Sequence, residues 1–549
     1  MLKLKLTMSL IAMVAAPVAM AEQPLYYEAC DGYGAPTKSG DGMSVPAGSL
    51  FGIFSPLGSA GNTRRTTPPL GAAGIVACDK ALADPRLLDV HWLRKASLLR
   101  ARAIHAISIK DEPTATRDLD AAFGALKQPD DPNVRRTMVA GITLVRAYLR
   151  RSAGDMPGAI AMVSPLWADR PLNRRFGFGI RSALGGGNPV VNGEELLHGL
   201  SRIAPRMIAA QYAMAFNRLN WRQMIALADQ LPPDEQTIDI GISSSEEKVQ
   251  IANNQLRSMK LMTEQRGALA YALAALGNLD AARASLAETR QKIAAETPPR
   301  IPAPAAGEKE GGRARLARNI NNALIATASN AEDRLREWEG FITLRTNIIR
   351  QDMASRMDNI LRLKTAPGAV VRDLIITSQA LSPSELAALP TVNDAEDDTV
   401  NLAALFDALP EAEVASRTPT FKRNDLFSMT GFKSKPGKIP GTVMVEFTSE
   451  RGSPLVVEEL TLLHAAQLAR DAGKDGLVVL QRRDYERSLT SNYMTKPMPN
   501  GYITQIEVDF VDTANLPERY KNAAWRVLPV SQVFKLLGPT YLEPPPIVR

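Results

Sequence analysis

Histidine, cysteine and aromatic residues are scarce: 549 residues contain four His, two Cys and only 5% Phe, Trp and Tyr. His91, His105, His198 and His464 stand apart, with no H-E-x-x-H spacing and no Cys/His pairing, so the sequence offers no zinc site. Arginines that are not interleaved with aromatics make a poor nucleic-acid surface. After residue 21 no apolar run reaches the roughly 20 residues of a helical membrane span. What is abundant is Ala and Leu within a 45% hydrophobic chain, a texture that favours helices packed through small residues over a sandwich or barrel.

Motifs that carry catalysis or ligand binding fail on spacing. GFKSKPGKI, from Gly431 to Ile439, has one residue too many before Gly437-Lys438 for a phosphate loop and lacks the following Ser or Thr; it reads as basic linker. Ser245 to Lys248 fits S-x-x-K without an S-D-N or K-T-G partner, and Ser243 to Ser245 reads instead as a helix cap. Asp394, Glu396, Asp397 and Asp398 lack the bend glycine and distal Glu of a calcium loop. Trp92, Trp167, Trp221, Trp338 and Trp525 sit among apolar residues and count as core. No catalytic residue, cofactor or metal is expected.

The first 21 residues combine Lys3 and Lys5, an apolar run from Leu6 to Val18 and Ala19-Met20-Ala21, the layout of a secretory signal peptide cleaved after Ala21. The mature protein is therefore expected in the periplasm or outside the cell. In that setting Cys30 and Cys78 predict one disulfide closing a Gly-rich and Pro-rich arm over residues 22–80, worth about 4 kcal/mol in the chain-entropy account. Residues 84–181 hold seventeen Lys and Arg against ten Asp and Glu. The commoner origin of such a stretch is a solvated helical face; the alternative is a docking stripe for an anionic glycan, lipid head group or acidic protein.

The stretch from Met262 to Lys292 spells a helix, a Gly277-Asn278 turn and a second helix, with Ala270 and Ala282 at the close crossing and Leu269, Leu273, Leu276, Leu279 and Leu286 as an apolar seam. Further hairpins are predicted from Asp84 to about Leu126, from Asn133 to Pro171 around Gly154-Asp155, and from Ala204 to Glu235 around Leu219-Asn220-Trp221. The Gly, Ala and Pro171 pattern resembles the tetratricopeptide repeat, which implies an α-solenoid with a concave protein-binding surface. The intervals do not follow that family's period, so the expected array is irregular. On its first helices Arg94, Arg102, Arg146 and Arg150 are the candidate partner contacts.

Residues 297–312 read as a linker, 313–390 as a helical cap with Trp338, Phe341, Leu344, Ile348 and Ile349 on one face, and 391–441 as a second linker. SPSELAAL adds a capping box of Ser382 and Glu385. Alternation then signals a separate α+β domain over 442–549. Its order, with Leu462, Leu463, Ala465, Ala466, Leu468, Gly473, Val478, Val479 and a closing Leu537-Gly538-Pro539, resembles the small domain of uncharacterised proteobacterial envelope lipoproteins, which implies an envelope location and no activity. The sequence thus predicts a mainly α protein: an irregular α-solenoid over 81–296 followed by a small α+β domain. Its expected function is non-enzymatic interaction or scaffolding in the bacterial cell envelope, with an envelope protein or extended peptide as partner. The alternative is a glycan-binding or lipid-binding module acting through the C-terminal domain.

Overall fold

A computed structural model describes residues 25–36, 42–43, 68–185, 193–231, 244–305, 310–378, 398–412, 419, 421–423, 430–450, 453–489 and 498–542. The expected leader at 1–21, the Ser382 and Glu385 box and most of the acidic run near Asp394 lie outside these residues. The chain is mainly helical and closes on a small antiparallel sheet. It divides into two compact units, Met1–Lys127 and Gln128–Arg549.

In the first unit the expected irregular arm contains two helices among its described residues. Tyr26–Asp31 and Ala72–Leu82 are helices joined by the Cys30–Cys78 disulfide, and both pack on the helix Trp92–Ser108. They fold because Tyr27, Cys30 and Cys78 are wholly buried and Asp31 meets a cation, which the Gly-rich and Pro-rich segment between them concealed in the sequence. Trp92–Ser108 then turns into Glu112–Gly124.

That turn recurs. At Lys110, Gly154, Leu219 and Gly277 the backbone enters the left-handed region, with φ of 65°, 84°, 57° and 87°. The following residue, Asp111, Asp155, Asn220 or Asn278, donates its N–H back to Ala106, Arg150, Ala215 or Leu273. Its side chain meanwhile accepts the N–H of Thr114, Gly158, Gln223 or Ala281 and so caps the next helix. Four residues past each cap a fully buried side chain sits at the helix crossing: Ala115, Ala159, Met224 and Ala282. The pairs so joined are Trp92–Ser108 with Glu112–Gly124, Ala140–Ser152 with Met156–Asp169, Met207–Asn217 with Trp221–Ala228, and Ser244–Ala275 with Leu279–Glu296. At two of the turns a non-glycine residue occupies the conformation that glycine adopts without strain. Leu276, expected in the seam of the last pair, is exposed at the turn, whereas Leu269 and Leu286 are buried.

The 36-residue helix Gly312–Asn347 packs along Ser244–Ala275. Its Trp338 enters an edge-to-face cluster with Phe216, Tyr271 and Phe341, and Trp221 joins through Phe216 and Tyr271. Close approach depends on Gly267, where an added Cβ would lie 2.2 Å from Trp338 Cδ1. Tyr271 donates to Asp373 at 2.8 Å and Arg345 donates to the same carboxylate at 2.6 Å. Asp352 ends the expected long helical stretch by capping a new helix, Met353–Leu361.

The C-terminal sheet runs β1 (Gly431–Pro436), β2 (Val443–Ser449), β3 (Gly476–Leu489), β4 (Met498–Val511) and β5 (Leu528–Pro529), in spatial order β1-β2-β4-β3-β5 with every pair antiparallel. β1 falls inside the stretch expected as linker. A glycine, a proline and two lysines lower its β-propensity, but Phe432 packs on His464 and Phe421 and fixes the strand. The helix Pro454–Asp471 lies on one face of the sheet, where Val456, Val457 and Leu460 meet Phe447 and Tyr502.

Candidate functional site

Pro454–Asp471 is buried continuously from Pro454 to Ala466, and within that apolar run stand two adjacent acids, Glu458 and Glu459. A helix with one face on a sheet and the next face also buried must carry a second set of partners. Here those partners come from the helical part of the same unit, residues 136–203.

Glu459, fully buried, accepts Arg170 Nε at 2.7 Å, Arg136 Nη2 at 2.8 Å and the Tyr541 hydroxyl at 2.5 Å. Asn173 Nδ2 reaches it at 3.3 Å and donates to the Leu455 carbonyl at 2.9 Å, while Asn173 Oδ1 caps the helix Arg174–Ala183 by accepting the Phe176 N–H. Glu458 takes over the open start of that same helix, accepting the N–H of Arg174 at 2.9 Å and of Arg175 at 3.2 Å, and pairs with Arg482 at 3.0 Å. Arg482 continues to Asp484 at 3.0 Å, and Arg174 reaches Asp484 at 3.1 Å. Arg482 also donates to the Ile203 carbonyl, and Arg202 to that of Val527. The helical part and the α+β domain are therefore locked by charge-assisted hydrogen bonds sheltered from water.

Burial works to raise the pKa of Glu459, but the charges of Arg136 and Arg170 and the bonds from Arg170 and Tyr541 outweigh it and hold the carboxyl at about 2. Asp484 is lowered in the same way: burial opposes, Arg482, Arg174 and Thr504 prevail. Arg482 is raised, with burial overcome by Asp484 and Glu458. Glu459 and Asp484, held ionised by guanidinium groups, keep these bonds near neutral pH, so the arrangement fixes geometry. Glu486 is shifted the other way from Glu459 and Asp484: burial raises it, against Arg175.

Cys30 and Cys78 are paired. Arg94, expected to be exposed, is wholly buried: it bridges to Asp31 at 2.6 Å and donates to the carbonyls of Tyr33 and Gly34. Arg102 is mostly covered and binds Asp118 at 2.7 Å and Asp79 at 2.6 Å. Arg146 is half-buried, and Arg150 is exposed beside Asp155 at 2.9 Å. Arg94 and Arg102 lie in the first unit and Arg146 and Arg150 in the second, so each pair belongs to its own unit. Much of the basic surplus of residues 84–181 meets acids elsewhere in the chain, Asp31 and Asp79 in the first unit and Glu459 and Asp484 in the second.

His91 directly precedes the helix Trp92–Ser108, and the other three histidines lie within helices. His91 Nδ1 accepts the Leu88 N–H, and His105 lies between the Gly71 N–H and the Cys30 carbonyl. His464 stacks on Phe432 with ring centres 3.8 Å apart, and burial lowers its pKa to about 4. Among the described residues no group of three His, Cys, Asp or Glu side chains is placed to hold a metal ion. Arg136, Arg170, Asn173, Glu458, Glu459 and Arg482 were not singled out in the sequence. The available signal was the Glu458-Glu459 pair inside an apolar helix, together with an arginine-rich stretch far upstream.

Compared with known proteins, the chain matches no family model, no curated protein and no solved structure.

Proposed function

We propose that the chain is an exported, non-enzymatic interaction protein that scaffolds partners in the bacterial cell envelope. The observation that carries this reading is the fourfold recurrence of one hairpin turn, with the same backbone hydrogen bonds, the same cap and the same buried crossing position. Hairpins of this kind, stacked as an irregular solenoid of tetratricopeptide type, offer first-helix side chains to an extended peptide or a partner protein. The Cys30–Cys78 disulfide supports an oxidising compartment, in keeping with the leader expected at residues 1–21. Among the described residues no helix is long and apolar enough to cross a membrane.

Arg150 is the exposed member of the four candidate arginines, and Arg146 lies one helical turn before it. Reversing both, as Arg146→Glu with Arg150→Glu, should abolish capture of an acidic partner by the full chain while leaving its helical circular dichroism intact. Capture at wild-type level would discard the basic surface. The alternative, a C-terminal glycan or lipid module with the helices as a spacer, requires residues 442–549 to act alone. The bonds at Glu458 and Glu459 weigh against that independence.

A further inference from the structure

The turn between β1 and β2 has features that neither the helical hairpins nor the buried ion pairs use. From Gly431 to Thr442 the sequence holds Lys433, Lys435 and Lys438 and no acid. Lys433 pairs with Glu446 at 2.7 Å, whereas Lys435 and Lys438 are exposed and have no carboxylate partner among the described residues. Between Lys438 and Pro440 stands Ile439, 37% exposed, at the apex.

A lone exposed isoleucine would call for no comment in a loose loop. This loop is held in shape. Glu507 on β4, fully buried, accepts the N–H of Ile439 at 2.9 Å and the Thr442 hydroxyl at 2.6 Å through one oxygen. Gly437 donates to the Thr442 carbonyl at 2.9 Å, and a Cβ at Gly437 would lie 2.6 Å from the Glu507 oxygen. Gly441 turns through φ 83°. Burying a carboxylate is costly, and here it serves to fix the backbone of the apolar residue that faces solvent. The apex is therefore preorganised, with its shape set before any partner arrives.

Two unneutralised lysines within four residues before a fixed apolar apex match the chemistry of an anionic bilayer surface, where ammonium groups meet phosphates and an aliphatic side chain enters below them. An acidic protein would satisfy the lysines but would also need a pocket shaped for Ile439; a bilayer takes both without shape matching. We propose that the β1–β2 turn docks the protein on anionic lipid, Lys435 and Lys438 on headgroup phosphates and Ile439 inserted between them. One side chain and two charges make this contact weak and reversible. It does not depend on the interaction-protein reading above.

The test is co-sedimentation of the full chain, lacking the apolar leader at residues 1–21, with vesicles of phosphatidylcholine alone or with added phosphatidylglycerol. Binding is expected only to the anionic vesicles and should fall with added salt. Lys435→Glu with Lys438→Glu should weaken it by at least about twenty-five-fold, about five-fold for each lysine lost. Ile439→Ser should weaken it by about ten-fold. A charge-matched control, Lys127→Glu with Lys364→Glu at two other exposed lysines, should retain binding. No binding to anionic vesicles, equal loss in the control pair, or undiminished binding by Ile439→Ser would overturn the proposal. Retention on polyglutamate without any on vesicles would also overturn it, and would assign the turn to an acidic protein.

Discussion

Replacing Arg170 by Met should destabilise the second unit far more than removal of a surface arginine would, because it strands part of a carboxylate that water cannot reach. Glu459 is lowered from an ordinary 4.5 to about 2, which corresponds to about 3 kcal/mol in favour of its ionised form. With Arg170 gone, Glu459 keeps Arg136, Tyr541 and a long contact to Asn173, and the expected cost is about 3 kcal/mol. Glu459→Leu strands Arg170 in the same place and should cost a similar amount. The double variant Arg170→Met with Glu459→Leu replaces the pair by apolar groups, and its cost should fall short of the sum of the single costs by about 2 kcal/mol. The assay is denaturant unfolding followed by far-ultraviolet circular dichroism and by Trp fluorescence. The linkage has a definite sign: a depressed carboxyl stabilises fully above its unfolded pKa near 4.5, and the contribution is lost as pH falls toward about 2. The wild type should therefore lose stability across that window, and Glu459→Leu should lose less. Costs that add to within about 0.5 kcal/mol, together with an unchanged acid profile, would refute the reasoning.

Further outcomes follow from single positions. Gly267→Ala places a methyl 2.2 Å from Trp338 Cδ1 and should cost about 3 kcal/mol, with loss of the near-ultraviolet signal of the aromatic cluster. Asn278→Ala removes the cap on Leu279–Glu296 and should cost about 1 kcal/mol in thermal unfolding. Lys110→Gly relieves an exposed left-handed residue and should gain about 1 kcal/mol. Paired Cys30→Ser and Cys78→Ser should cost the first unit about 4 kcal/mol, read as earlier protease cleavage between those positions.

The helical hairpins were legible because glycine, a capping Asp or Asn and a small crossing residue are local signals. Gly154-Asp155 and Gly277-Asn278 show all three. Lys110-Asp111 and Leu219-Asn220 make the same turn without glycine; the sequence places a turn at each, and the backbone adds their shared left-handed conformation and hydrogen bond. In the C-terminal domain β2 and β4 were marked by alternation and β3 by a short apolar run, whereas the Lys, Gly and Pro content of β1 reads as linker until Phe432 is seen against His464. The lock at Glu458 and Glu459 was not legible, since Arg136, Arg170 and Arg174 lie hundreds of residues upstream and a buried arginine looks like a surface one in sequence. Arg94 shows the same limit: its helical spacing suits an exposed face, but Asp31, held in place by the disulfide-tied helix, draws it inside.

The most direct test of the interaction-protein account is photo-crosslinking in the native envelope, with a photoreactive residue at position 150 of the otherwise unaltered chain. A single defined protein adduct, lost when Arg146 is changed to Glu, is the predicted result. Adducts to lipid or glycan with no protein among them would contradict it.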